Sequence, residues 1–171
     1  MKKILSTLII AGLFCVFTFS QTVPKFTLSK DGVKPVVLTL DASYTANQIY
    51  TKVKSWNANM VNYQSSTIRI DKENVQVKHG GYIDKAWNIR ANNYDHWYEM
   101  TYTLNIEIKE GRCRVTFENT ADSYKVWFNA DGTVIKKFKD AKSTFEATIN
   151  NLLTSLYNHI KSTPKKVEDN W

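Results

Sequence analysis

The sequence predicts an α+β domain in which an antiparallel sheet carries two helices packed on one of its faces. Two observations lead there. Residues 67–78 and 104–117 each alternate apolar and polar side chains about a central turn, as half-buried antiparallel strands do. Ile49, Val53, Trp56 and Met60 recur at helical spacing, as do Phe145, Ile149, Leu152, Leu153, Leu156 and Ile160. Elements with a single apolar face have to share one core. The 171 residues contain no repeat and suit one domain, and a composition of 43% hydrophobic and 23% charged residues argues against disordered and fibrous chains.

The chain begins with an address. Met1-Lys2-Lys3 is a positive n-region, Leu8 to Phe17 an apolar h-region, and Thr18-Phe19-Ser20 a small-x-small site ahead of Gln21. Residues 1–20 therefore read as a cleavable secretory signal peptide, and the protein as secreted or periplasmic. The apolar run is shorter than the roughly 20 residues a membrane span needs, so no transmembrane segment is expected after cleavage. Lipidation at Cys15 is disfavoured by the bulky Leu13 and Phe14 before it. Without residues 1–20 the net charge falls from +7 to +5, a value that solubility alone accounts for. Cys113 is then the sole cysteine, and the fold has no intramolecular disulfide to lean on.

The domain is expected over residues 21–163. Asp31-Gly32 is a turn signal, with a short strand at Phe26–Leu28 before it and a longer one at Val36–Leu40 after Pro35. Thr45 and Gln48 have capping-box spacing and start a helix over 46–60, with Trp56 facing an inward row of Leu104, Ile106 and Ile108. A turn at Lys72-Glu73 would pair Ile70 with Val75 and Ile68 with Val77 inside, and Arg69 with Gln76 and Thr67 with Lys78 outside. A turn at Glu110-Gly111 sets Ile108 against Cys113, Ile106 against Val115 and Leu104 against Phe117, with Glu107 meeting Arg114 on the polar face. Tyr124, Val126 and Phe128 alternate before Asn129–Gly132 and predict an extra hairpin. A second capping box, Ser143 to Glu146, starts a helix over 144–161, which Thr163-Pro164 ends; residues 164–171 form a charged tail.

The helix bearing Ile49-Tyr50 and Trp56, the hairpin around Asp71, and the run from Tyr102 to Arg114 resemble a secreted domain of unknown function with a TBP-like fold found in Bacteroidetes proteins. The resemblance spans about residues 36–160. It implies export and a β-α-β4-α order, and it transfers no catalytic residue, because none is assigned in that family.

No residue pattern has the spacing that catalysis, a metal or a cofactor requires. His79, His96 and His159 lack a second ligand at i+2 or i+4. Cys113 reads as a small buried hydrophobe, and Gly80-Gly81 as a bulge or bend in a strand rather than a phosphate loop. One stretch stands apart. Trp87, Tyr94, Trp97, Tyr98 and Tyr102 are interleaved with Asn88, Arg90, Asn92, Asn93, Asp95 and His96, the mixture of rings, amides and charges that sugar- or peptide-contacting loops use. Trp87, Arg90, Tyr94, Trp97 and Tyr98 are the candidate ligand-binding residues; a lid over the core is the competing reading of the same rings. The polar sheet face, with Arg69, Lys78, Arg112 and Arg114 among acids, suggests cross-strand pairing and no nucleic acid. The expected protein is a non-enzymatic binding or scaffolding module for an envelope protein or polysaccharide, the alternative being a small enzyme acting on an envelope polymer.

Mass spectrometry of secreted or periplasmic material should find an N-terminus at or near Gln21. An intact Met1 or an acylated Cys15 would contradict the leader.

Overall fold

A computed structural model describes residues 22–60, 67–119 and 122–162. The leader at 1–20 and the tail at 164–171 lie outside the described residues. Two short strands, β1 (Leu28–Ser29) and β2 (Gly32–Val33), pair with each other ahead of β3 (Val36–Thr39). Then follow α1 (Ala46–Asn59), β4 (Thr67–Lys72), β5 (Gln76–Ala91), β6 (Tyr94–Lys109), β7 (Arg112–Asn119) and α2 (Lys139–Lys161). The main sheet is antiparallel in the order β3-β7-β6-β5-β4, so the helix after β3 carries the chain to the opposite edge.

Local chemistry starts α1 as expected. Thr45 Oγ1 accepts from the Gln48 N–H at 3.2 Å while Gln48 Oε1 accepts from the Thr45 N–H at 2.9 Å, a reciprocal cap. The β6–β7 hairpin likewise has the predicted register at every pair, Ile108 to Cys113, Ile106 to Val115 and Leu104 to Phe117, and all six side chains are buried. Its turn residue Gly111 has φ +66°, a conformation that side chains with a Cβ resist. Between sheet and helices lie Leu38, Ile49, Val53, Trp56, Leu104, Ile106, Val115, Phe145, Ile149, Leu152 and Leu153, all buried.

Other expectations are corrected. In the β4–β5 hairpin Lys72 pairs with Gln76 and Asp71 with Val77, so Ile70 faces Lys78 and both Ile70 and Val75 are exposed. Asn74 takes φ 57°, which makes a three-residue turn, and a register shift between Ile68 and Ile70 moves the rest of the strand. The hairpin expected around Tyr124 to Val134 is a 3-10 helix, Asp122–Trp127, followed by one isolated bridge between Phe128 and Val134. Tyr124, Trp127 and Phe128 are buried and Val126 is exposed, which is helical spacing rather than alternation. Helix α2 starts at Lys139, out of a 3-10 turn at Lys136–Phe138, with no side-chain cap. Its second capping box does not form: Thr144 Oγ1 bonds back to the Asp140 carbonyl, and Glu146 accepts from the Leu28 N–H at 2.8 Å. Asn150 holds both backbone groups of Phe26 in the same way, so α2 takes the place of a strand partner for this segment.

Gly80-Gly81 is no bulge. Both residues sit in regular pairing with Thr103 and Tyr102, and a Cβ on Gly81 would stand 2.6 Å from the Tyr102 hydroxyl. The Tyr102 ring therefore crosses Gly81, and its hydroxyl lies 3.0 Å from His79 Nε2. His79 Nδ1 contacts Asn57 Oδ1 of α1, an acceptor, so the proton is on Nδ1 and Nε2 accepts from Tyr102. Trp56 leans on the imidazole at 5.2 Å and bonds Ser155 of α2 through its indole N–H at 3.1 Å. Trp56 is inside, as its helical position predicted.

Burial lowers the His79 pKa from 6.5 to about 4. The unfolded chain takes the proton first, so this stability is whole above 6.5 and is lost as pH falls towards 4. Urea titrations of the purified protein should show an unfolding free energy lower by about 3 kcal/mol at pH 4 than at pH 7 from this group. His79→Gln should lack that component, and parallel pH slopes in the two proteins would refute the assignment.

Candidate functional site

β5 and β6 are 16 residues each and outrun their neighbours. Among the described residues β4 pairs with β5 as far as Gly80, and β7 with β6 as far as Tyr102. Beyond those points the two strands continue as a two-stranded ribbon, closed by Asn92 (φ 52°) and Asn93 (φ 64°). Two consecutive left-handed residues are what a tight hairpin turn demands, and asparagine tolerates them best after glycine. The segment expected as a loop is thus ordered strand; the paired asparagines between Trp87 and Trp97 are the signal that marks it.

An isolated two-stranded ribbon is marginal in water. Here α2 runs along the free edge of β5. Thr148 Oγ1 donates to the Ala86 carbonyl at 2.7 Å, and the Asn88 N–H donates to Thr144 Oγ1 at 3.2 Å. Between Ile83 and Trp87 the register shifts, with Asp84, Lys85 (φ 54°) and Ala86 set against Glu99 alone. Tyr82 donates to the Glu99 carboxylate there, a bond that pushes its pKa to about 12.

The bulge decides which rings are inside. Trp87 is 8% exposed, stacks on Tyr98 at 4.2 Å and 10°, and meets the edge of Trp127 at 4.7 Å. Trp87 is therefore a lid residue, and its place among the candidate binding residues is corrected. The others are exposed: Tyr94 is 73%, Trp97 48% and Tyr98 42% accessible, and Arg90 is exposed with them. Register sorts them into two faces, since directly opposite residues project to the same side. Trp87 with Tyr98 and Ala91 with Tyr94 form one face; Asn88 with Trp97 and Arg90 with Asp95 form the other.

Asn88, Arg90 and Asp95 also line a cleft of about 370 Å³ together with Asp140, Ser143 and Thr144 at the start of α2. Asn88 is 8% exposed and its carboxamide oxygen has no hydrogen-bond partner among the described residues. Sequence inspection missed the α2 contribution, because nothing local links positions 88 and 144. A hollow of about 530 Å³ beside the start of α1 offers less: its one charged side chain, Lys52, is bonded to the Ser162 carbonyl.

Burial pushes the Cys113 thiol up to about 12, so its nucleophilic thiolate is suppressed. Among the described residues no group of three or more His, Cys, Asp or Glu could hold a metal ion. On the outer sheet face Lys78 pairs with Glu118 at 3.0 Å and Arg114 approaches Glu107 at 3.9 Å, the cross-strand pairing that alternation suggested.

Comparison with known proteins agrees with the fold. A crystal structure of a DUF4468 family protein from Bacteroides ovatus ATCC 8483 is 12% identical, with a TM-score of 0.55 over 78% of this chain and 89% of that one. A TBP-like protein from Parabacteroides distasonis ATCC 8503 is 9% identical, with a TM-score of 0.53 over 76% of this chain and 92% of that one. At such identities the likeness concerns the fold. No curated protein matches. The family model for the domain of unknown function (DUF4468) with TBP-like fold matches residues 41–121. The resemblance read in the sequence is borne out in two respects: residues 41–121 match the model of the DUF4468 family, and the fold in which they sit is TBP-like.

Proposed function

We propose that this protein is an exported, non-catalytic binding module of the cell envelope and that the β5–β6 ribbon is its recognition element. One observation carries the reading: every exposed large aromatic among the described residues, Tyr94, Trp97 and Tyr98, stands on this ribbon. Exposed rings of that size are costly to leave in water and mark contact surfaces when they cluster. The ladder and the α2 threonines hold the backbone in place, so little ordering is left to lose on binding. Tyrosine and tryptophan add area with few rotatable bonds and polar tips for direction. The leader-like residues 1–20 support export, and the burial of Cys113 and His79 supports a role other than nucleophilic or acid–base chemistry.

Pull-down from envelope extract, with thermal melts on the same proteins, tests this. Tyr94→Ala and Trp97→Ala should leave the melting midpoint nearly unchanged while each weakens capture of the native partner by about 2 kcal/mol. Trp87→Ala should instead destabilise the fold by about 3 to 5 kcal/mol through lost burial. Full capture by both surface variants would refute the reading.

A further inference from the structure

The cleft beside the ribbon says more about what the module holds. Its lining is polar throughout, with one guanidinium (Arg90), two carboxylates (Asp95 and Asp140), a hydroxyl each from Ser143 and Thr144, and the Asn88 carboxamide. A volume of about 370 Å³ is within the range of small-ligand sites. An apolar ligand finds no partner in such a lining. An anionic one meets two carboxylates against a single cation. A peptide strand seeking the backbone of β5 at Asn88 finds that edge already taken by Thr144. Remaining is a neutral ligand rich in hydroxyls, because each hydroxyl both donates and accepts, and this cleft supplies N–H donors and carboxylate acceptors side by side.

Two further observations point the same way. Arg90 and Asp95 are opposite in register, yet among the described residues neither side chain is engaged in a hydrogen bond or ion pair. Some other charges of the described residues are paired, Lys54 with Asp71, Lys78 with Glu118 and Lys142 with Glu146. The Asn88 carboxamide oxygen is buried without a donor, a state that buried polar atoms rarely keep and that a ligand hydroxyl relieves. Trp97, opposite Asn88 and on the same face as Arg90 and Asp95, is about half exposed. An indole face flanking polar groups suits a pyranose ring, which has an apolar C–H face and a polar rim.

We propose that this cleft binds a neutral carbohydrate chain, with vicinal sugar hydroxyls shared between Arg90 and Asp95, Asn88 accepting from a third hydroxyl, and Trp97 stacking on the ring. The assignment rests on the reading of the ribbon as the recognition element and names its ligand class.

The test titrates the purified protein with neutral linear hexasaccharides of glucose, mannose and N-acetylglucosamine, and with polygalacturonate as the acidic contrast, following indole fluorescence and heat. At least one neutral series should bind with a Kd below about 1 mM. Arg90→Ala and Asp95→Ala should each weaken it about tenfold or more with unchanged thermal midpoints, both residues being exposed, whereas Tyr94→Ala on the other face should not. Preference for polygalacturonate, absence of neutral binding up to about 10 mM, or binding indifferent to both cleft variants would overturn the assignment. If saccharide binding fails while capture from extract still depends on Tyr94 and Trp97, the cleft assignment falls and the ribbon reading stands. If capture is indifferent to those rings as well, both fall.

Discussion

The Tyr102 ring lies across Gly81, and much of the molecule is arranged around that contact. Only a residue without a Cβ can sit beneath the ring, since the Tyr102 hydroxyl and the nearest ring carbons are 2.6 to 2.8 Å from where that carbon would be. Once seated, the ring stacks on Phe117 of the next strand at 5.8 Å and presents its hydroxyl to His79. His79 reaches Asn57 of α1, and Trp56 beside it reaches Ser155 of α2. Sheet and both helices are thus tied through one largely buried run of polar and ring contacts, with Asn57 and Ser155 at its half-buried ends. Such a run rigidifies a core when complete and weakens it when a single member is lost.

The ribbon depends on a second device, the use of helix side chains where a strand would otherwise be required. Thr144 and Thr148 serve β5 as a neighbouring strand would, and Asn150 and Glu146 do the same for the segment at Phe26 and Leu28. Four polar residues on one helix thereby satisfy backbone groups from two separate stretches of chain. This is why α2 tolerates a polar stripe beside its apolar one, and why the ribbon can extend past the sheet without fraying. The three-residue bulge then turns Trp87 inward and leaves Trp97 on the far face, so neighbouring tryptophans in one hairpin have opposite roles.

What could be read from sequence follows from how local the determining interactions are. The β6–β7 hairpin was legible pair by pair because alternation and the Glu110-Gly111 turn agree and nothing interrupts the ladder. The start of α1 was legible for the same reason, both halves of its cap being three residues apart. The β4–β5 register was not, because Asn74 entered the left-handed region and a bulge followed, neither of which alternation can show. The box at Ser143 to Glu146 had the correct spacing, but Glu146 was recruited by backbone 118 positions away. Of the candidate site, the rings were visible and their sidedness was not. The cleft could not be seen at all, since the Asn88–Thr144 contact that builds it joins residues 56 positions apart.

Cys113 sits in the middle of this arrangement, buried on β7 between β3 and β6, paired with Leu38 on one side and Ile108 on the other. No other cysteine follows residue 20. A thiol so placed is shielded from oxidants and alkylating reagents until the core packed on that face of the sheet opens, and becomes an ordinary reactive cysteine once it does. The chain therefore carries its own clock for opening: the rate at which a thiol reagent marks it reads how often that core is uncovered, without any label having to be engineered in.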